Sequence, residues 1–272
     1  VTLRSRGGAV ASAWEGQPAL LHLVPRSGGA PLASIAGVFV PRDNAPLDRP
    51  ESLTAWFGLD SAELVAQGVR VGDGVTSHKD AVRLAGTRFT GGALADRAGS
   101  YALLRALNDI NPARLTRRVL FVWSTSEGTG LAGAAGAEGD TGASALADRL
   151  GASVQRVHSI GTFVSPAAPL ESPSVASARL GGGPVLRAIE STSMAAVSAR
   201  AELLAIAARA GIPMQIGLTQ GGTDGTVFTY YGAPNVPISW PGRYSHAPGE
   251  VLDLRDIEQL AKLIAALASA PR

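Results

Sequence analysis

The chain has 272 residues, 46% hydrophobic and 17% charged, a balance that excludes disorder and allows one large or two modest domains with a real core. The formal charge is only +2, aromatic residues make up 5%, and the basic residues are scattered with Arg117-Arg118 as the densest pair, which argues against a nucleic-acid binder. With no cysteine, disulfides, thiolate zinc sites and a cysteine nucleophile are excluded, and no apolar run reaches the roughly 18 residues of a spanning helix.

The sequence opens on Val1-Thr2-Leu3-Arg4, without Met or a signal-peptide pattern, directly on a strand-like stretch. The expectation is that residues once preceded it. Up to about residue 85 the chain reads as short strands: Gly8 to Trp14 and Ser34 to Val40 are β-like, bounded by Gly, Pro and Asp turns. A short helix is expected over Ser61 to Gln67, with Ser61 as N-cap and Gly68 as its stop. Val69 to Asp73 then reads as strand and turn. These pieces predict a small β-rich barrel.

From about residue 90 the pattern alternates helix with buried strand. Ala98 to Asn108 is expected to be helical, and Arg118 to Thr125 is a continuous apolar strand of the kind a parallel sheet buries on both faces. Val157 to Val164 and Val236 to Trp240 are further strands. Ala199 to Ala210 is a helix ended by Gly211 and Pro213. The last helix carries Ile257, Leu260, Ala261, Ile264 and Leu267 on one stripe. Such alternation predicts an α/β sandwich, whose ligands sit at the carboxyl ends of strands. No internal repeat is visible.

Four stretches put polar groups where strands should end: Gly91 to Gly99, Ser124 to Ala134, Gly221 to Gly225, and Pro241 to Pro248. Each has a plain alternative. Asp96 and the Thr223-Asp224 pair could cap helices, Glu127 could be a solvated loop acid, and His246 could be a packed or surface histidine. Taken singly none is specific; their order is.

Together they resemble the M42 family of metalloaminopeptidases, which includes tetrahedral and glutamyl aminopeptidases and cellulase-M-like proteins. Leu59-Asp60-Ser61-Ala62-Glu63-Leu64 followed by Gly68 to Asp73 is similar to the family's accessory-domain signature. Ala93-Leu94-Ala95-Asp96-Arg97-Ala98-Gly99 resembles its Ala-Leu-Asp-Asp/Asn-Arg-x-Gly motif. Glu127 to Ala134 resembles Glu-Glu-Val-Gly-Leu-Arg-Gly-Ala, Gly221 to Asp224 resembles Gly-Gly-Thr-Asp, and Arg243 to Pro248 resembles Arg-Tyr-x-His-Ser-Pro. The resemblance implies a phosphorylase/hydrolase-like α/β/α sandwich with a mixed sheet plus a small β-barrel accessory domain. It places a dimerisation-type accessory domain, incomplete at its N-terminus, at residues 1–88 and a catalytic domain at 89–272. It further implies a cytoplasmic homo-oligomer, and the missing cysteines fit a reducing compartment.

A site of that family holds two divalent ions about 3.5–4 Å apart, bridged by a carboxylate, with a separate Glu as general base. Carried over position by position, the general base falls on Glu127 and one His ligand on His246. The bridging Asp falls on Ala95, because Asp96 matches the residue after it; Asp96 is the one neighbouring carboxylate that could substitute. The second Glu falls on Gly128, and a further Asp should lie near Val164, in a stretch without acids. The family's first His ligand sits in a His-x-Asp segment that precedes the accessory domain, and the expectation is that nothing here matches it, because the chain begins inside that domain. One imidazole cannot hold two ions, and even with Asp96 the set falls short of the three protein ligands usual for one catalytic zinc.

Three readings follow. The first is a catalytically impaired homologue with a structural or regulatory role, pairing with itself or with an active paralogue. The second is an active aminopeptidase using zinc or cobalt on peptide substrates. The third is metal-free chemistry or ligand binding in a pocket formed by Glu127, Thr223, Asp224, Arg243, Tyr244 and His246. Ser126 and Ser245 lie in no G-x-S-x-G elbow. Substrate preference is not legible.

Overall fold

The computed structural model describes residues 1–3, 11–25, 33–41, 53–125, 141–165 and 178–271. The chain is mixed α/β and divides into two compact units. The first comprises Val1–Val82, Gly91–Ala93 and His246–Glu250; the second comprises Arg83–Thr90, Leu94–Ser245 and Val251–Arg272.

The first unit contains β1 (Thr2–Leu3), α1 (Ala11–Trp14), β2 (Pro18–Leu23), β3 (Ala33–Phe39), β4 (Leu53–Trp56), α2 (Ser61–Ala66) and β5 (Val75–Ser77). The strands form one antiparallel sheet in the order β1-β4-β3-β2-β5. Alternation decides its buried face: Ala19 and Leu21 of β2 point inward and join Phe39, Ala55, Phe57 and Leu64 in one core. Trp14 packs edge-on against Phe39 at 5.2 Å between ring centroids. Gly37 is required by packing, since a Cβ there would lie 2.4 Å from the Trp56 carbonyl oxygen and from the Phe57 ring.

Between and beyond these lie β6 (Val82–Arg83), β7 (Arg88–Gly91), α3 (Leu94–Asp109), α4 (Thr141–Leu150), β8 (Ile160–Val164), β9 (Val185–Ile189), α5 (Val197–Arg209), β10 (Gln215–Leu218), β11 (Ile238–Gly242), β12 (Glu250–Asp253) and α6 (Leu254–Ser269). A four-stranded mixed sheet runs β10-β9-β11-β8, and a three-stranded one runs β12-β7-β6. In the larger sheet β10 is parallel to β9 and β11 to β8, while β9 and β11 are antiparallel. One face buries Leu186, Ile238 and Trp240 against Ala98, Ala102 and Ala106 of α3, Leu203 of α5, and Leu260 and Ile264 of α6. The alanine row lets α3 and α6 approach closely.

Several expectations change. Gly8 to Trp14 is not a strand over its described part: Ala11–Trp14 is a helical turn, and residues 8–10 lie outside the described residues. The N-cap of α2 is Asp60, not Ser61; Asp60 Oδ1 accepts from the Glu63 amide and Glu63 Oε2 from the Asp60 amide, each at 2.8 Å. Val69 to Asp73 forms turns without a strand. The helix expected from Ala98 begins at Leu94, which puts Asp96 inside its first turn rather than ahead of it. Among the described residues, Arg118 to Thr125 joins none of the three sheets. The expected strand over Val236 to Trp240 is shifted, with β11 spanning Ile238–Gly242. Of the stripe on the last helix, Ile257, Leu260, Ala261 and Ile264 are buried, as the period requires.

Candidate functional site

The parallel pair β8 and β11 is the frame of the second unit's polar residues. Val164 pairs with Gly242 at their shared carboxyl ends. Just beyond, Arg243 exchanges backbone hydrogen bonds with Val251 at 2.9 and 3.0 Å, and Tyr244 adopts φ 57°. Ala95 lies in the first turn of α3 and is half-buried. Glu127 and Gly128 lie outside the described residues, as does Ser126.

His246 belongs to the first unit and also sits in the left-handed region, at φ 63°. A side chain with a Cβ pays for that conformation, so it persists only where contacts over-determine it. Two contacts do. The His246 amide donates to Oε1 of buried Glu250 at 2.8 Å, and its carbonyl accepts from Trp14 Nε1 at 3.1 Å.

Thr223 and Asp224 follow β10, whose direction opposes that of β8 and β11. The structure therefore puts them at the amino ends of β8 and β11, the end away from Val164, Arg243 and Tyr244. Asp224 Oδ2 accepts from Ser124 Oγ at 2.9 Å. The Gly225 amide donates to Ser159 Oγ at 2.9 Å, and a Cβ on Gly225 would lie 2.2 Å from that oxygen, so the turn needs glycine there.

A polar cluster that sequence reasoning missed anchors this turn. Glu190 Oε1 accepts from Ser193 Oγ and Thr223 Oγ1, both at 2.8 Å, while Asn235 Nδ2 donates to Thr223 Oγ1 at 3.0 Å. Arg187 Nη1 stands 3.5 Å from Glu190 Oε2. Its Nε donates to Ser239 Oγ at 2.7 Å, and its Nη2 donates to the Thr162 carbonyl. The available signal was the arginine itself, alone and charged in the otherwise apolar strand Val185-Leu186-Arg187-Ala188-Ile189.

Shifted titrations lie elsewhere. Burial lowers the His158 pKa to about 4, so the ring is neutral at pH 7 and its Nδ1–H donates to the Val236 carbonyl at 2.9 Å. Asp253 is held at about 2 by its hydrogen bonds to Arg255, while burial raises Asp256 to about 6.

Among the described residues the donor set does not fit a metal centre: the side chains of Ala95 and Val164 carry no donor atom, and no three described His, Asp or Glu side chains gather as they would around an ion. The described polar residues can fix backbone turns and offer hydroxyl and carboxylate oxygens.

Comparisons with known proteins agree on one group. The profile of the M42 glutamyl aminopeptidase family matches residues 44–263. A curated relative from Acetivibrio thermocellus, proposed to be an aminopeptidase, is 28% identical over 211 residues, covering 76% of this chain. This chain spans only 59% of that relative's length. Among solved structures, an aminopeptidase from the archaeon Desulfurococcus kamchatkensis superposes with a TM-score of 0.82 at 25% identity, over 97% of this chain and 71% of the other. The TET1 peptidase of Pyrococcus horikoshii, which can assemble into a tetrahedron or a large octahedral shell, superposes at 0.78 with 27% identity, over 98% of this chain and 76% of the other.

Proposed function

The chain belongs to the M42 glutamyl aminopeptidase family, and from that premise we propose that it is a catalytically impaired member with a structural or regulatory role in a homo-oligomer. One observation carries the reading. Ala95, Gly128 and Val164 stand where the family's motifs place carboxylates, while the glycines and packing residues around them are kept. Loss at three separate motifs removes the charge that would offset repulsion between two ions. Loss of one could be compensated by Asp96; loss of three cannot.

The rest of the reading follows the resemblance. The second unit is the α/β/α sandwich of a metallopeptidase-like domain, and the first is its small β-barrel accessory domain. Assembly is supported by the relatives, since the Pyrococcus TET1 peptidase builds large shells. An active paralogue is a second candidate partner.

Calorimetric titration of the purified chain with zinc and with cobalt tests the central claim. The expected result is less than one equivalent bound. Two equivalents bound with micromolar or tighter affinity would restore the reading as an active metal-dependent aminopeptidase.

A further inference from the structure

Asp-Gly is the dipeptide in which the following amide nitrogen reaches the aspartate carboxyl with least steric hindrance, and it occurs twice, at Asp73-Gly74 and at Asp224-Gly225. The two differ in what their surroundings let the bond do. At the second, the Gly225 amide donates to Ser159 Oγ at 2.9 Å and Asp224 Oδ2 accepts from Ser124 Oγ at 2.9 Å. Gly225 is also buried, where a Cβ would lie 2.2 Å from Ser159 Oγ. Nitrogen and carboxyl are each committed to a different partner.

The first lies in the turn between α2 and β5, where Asp73 Oδ2 accepts from the Arg70 amide at 2.8 Å. Arg70 is itself anchored, its Nη2 donating to the Val24 carbonyl at 2.6 Å. An N–H already aimed at a carboxyl oxygen stabilises the negative charge that oxygen acquires when a nucleophile adds to Cγ. Glycines flank the aspartate: Gly72 at φ 101°, and exposed Gly74, where a Cβ would meet no described atom within 4 Å.

We propose that Asp73 is a covalent modification site, converted to isoaspartate through a succinimide, and that the Arg70 amide promotes the closure. The Gly74 nitrogen loses its proton and bonds to Asp73 Cγ, and one carboxyl oxygen leaves as water, closing a five-membered imide. Water then adds to the main-chain carbonyl of that ring and breaks its bond to the Gly74 nitrogen. The chain now runs through Cβ and Cγ, and the former main-chain carbonyl is a free carboxylate. One water leaves and one enters, so the change is an isomerisation with no electrons exchanged. It inserts a methylene into the backbone directly before Gly74, whose carbonyl accepts from the His22 amide at 2.9 Å. Val75 to Ser77 follow at once and pair with Leu21 to Ala19 of β2. Isoaspartate at 73 therefore weakens the seat of β5 in the sheet of the first unit.

The test is to hold the folded chain for several weeks at physiological pH and temperature in water enriched in oxygen-18, then map tryptic peptides by electron-transfer fragmentation. The expected result is isoaspartate carrying the heavy oxygen in the peptide Val71–Lys79, with Asp224 unmodified. At 73 the folded chain should form isoaspartate at least as fast as the chain in urea, whereas at 224 it should form less, because there the fold protects. Gly74→Ala adds a Cβ in open space outside the left-handed region, and Asp73→Glu keeps a carboxylate that closes only a slower six-membered ring. Each should leave residue 73 unmodified. The aged parent should melt below the fresh chain, and aged Gly74→Ala should not. Absence of isoaspartate at 73 in the folded chain, equal amounts at 73 and 224, or a Gly74→Ala variant that isomerises like the parent overturns the site. Slower reaction at 73 in the folded chain than in urea overturns the role of the Arg70 amide, and an unchanged melting temperature overturns the link to β5.

Discussion

Arg187 Nη1 and Glu190 Oε2 lie 3.5 Å apart with side chains only 7% and 1% exposed, and together they tie β8, β9 and β11 to the turn at Gly222 and Thr223. Removing one member of a buried pair leaves the other charge without its counter-ion. Glu190→Ala should therefore cost about 3–5 kcal/mol of unfolding free energy. Replacing both with apolar residues of similar volume, Arg187→Met with Glu190→Leu, should cost less than Glu190→Ala alone. Urea denaturation of the three proteins checks the order, and a single-variant loss under about 1 kcal/mol would show that the pair braces nothing.

Two carboxylates near the start of α6 predict opposite pH behaviour. Asp253, lowered to about 2 by hydrogen bonds to Arg255 and Thr87, stabilises the fold above the ordinary carboxylate range. That stability is lost as pH falls through about 2. Asp256, raised to about 6 by burial, binds its proton more tightly folded than unfolded. Its contribution is full below the ordinary value of 3.8 and is lost as pH rises through about 6. Melting temperature should thus fall between pH 4 and 6 on account of Asp256, and Asp256→Asn should flatten that window while leaving the acid limb. A variant that keeps the parent's slope from pH 4 to 6 would assign the titration elsewhere.

The cap of α2 separates two residues that sequence alone could not rank. Ser61 and Asp60 are both good N-cap types, and the choice turns on which side chain reaches the amide three residues on. Asp60 does, and Glu63 answers it. Asp60→Ala should cost about 1 kcal/mol, whereas Ser61→Ala should be within about 0.5 kcal/mol of neutral. Equal losses in thermal unfolding would refute the assignment.

What was legible follows the range of the physics involved. Periodic burial is local, so the stripe Ile257, Leu260, Ala261 and Ile264 was readable and is buried. The order of four motifs likewise indicated the family. The Arg187–Glu190 cluster was not readable, because its partners Thr162, Thr223, Asn235 and Ser239 are distant in sequence and come together only through the fold. The same holds for the separation of Thr223 from Val164: one follows a strand and the other ends one, but which end of the sheet each occupies depends on strand direction. Arg118 to Thr125 differs for a related reason: composition reports how apolar a segment is, and whether a strand pairs with it, as none does among the described residues, is a property of the fold.

The proposed impairment predicts both a silence and a way to end it. Aminoacyl-p-nitroanilide hydrolysis by the parent chain, with zinc, cobalt or manganese, should equal that of a Glu127→Ala control. A general base without a metal-bound water has nothing to activate. Returning carboxylates at the three motif positions, as Ala95→Asp, Gly128→Glu and Val164→Asp together, restores the three acids of the family's motifs and with them the donor number a zinc ion requires. The triple variant should bind at least one equivalent of zinc that the parent does not. Circular dichroism must first show that it folds, because Val164 pairs within β8 and is half-buried. A folded triple variant that binds no more zinc than the parent would mean that these positions do not face a common site.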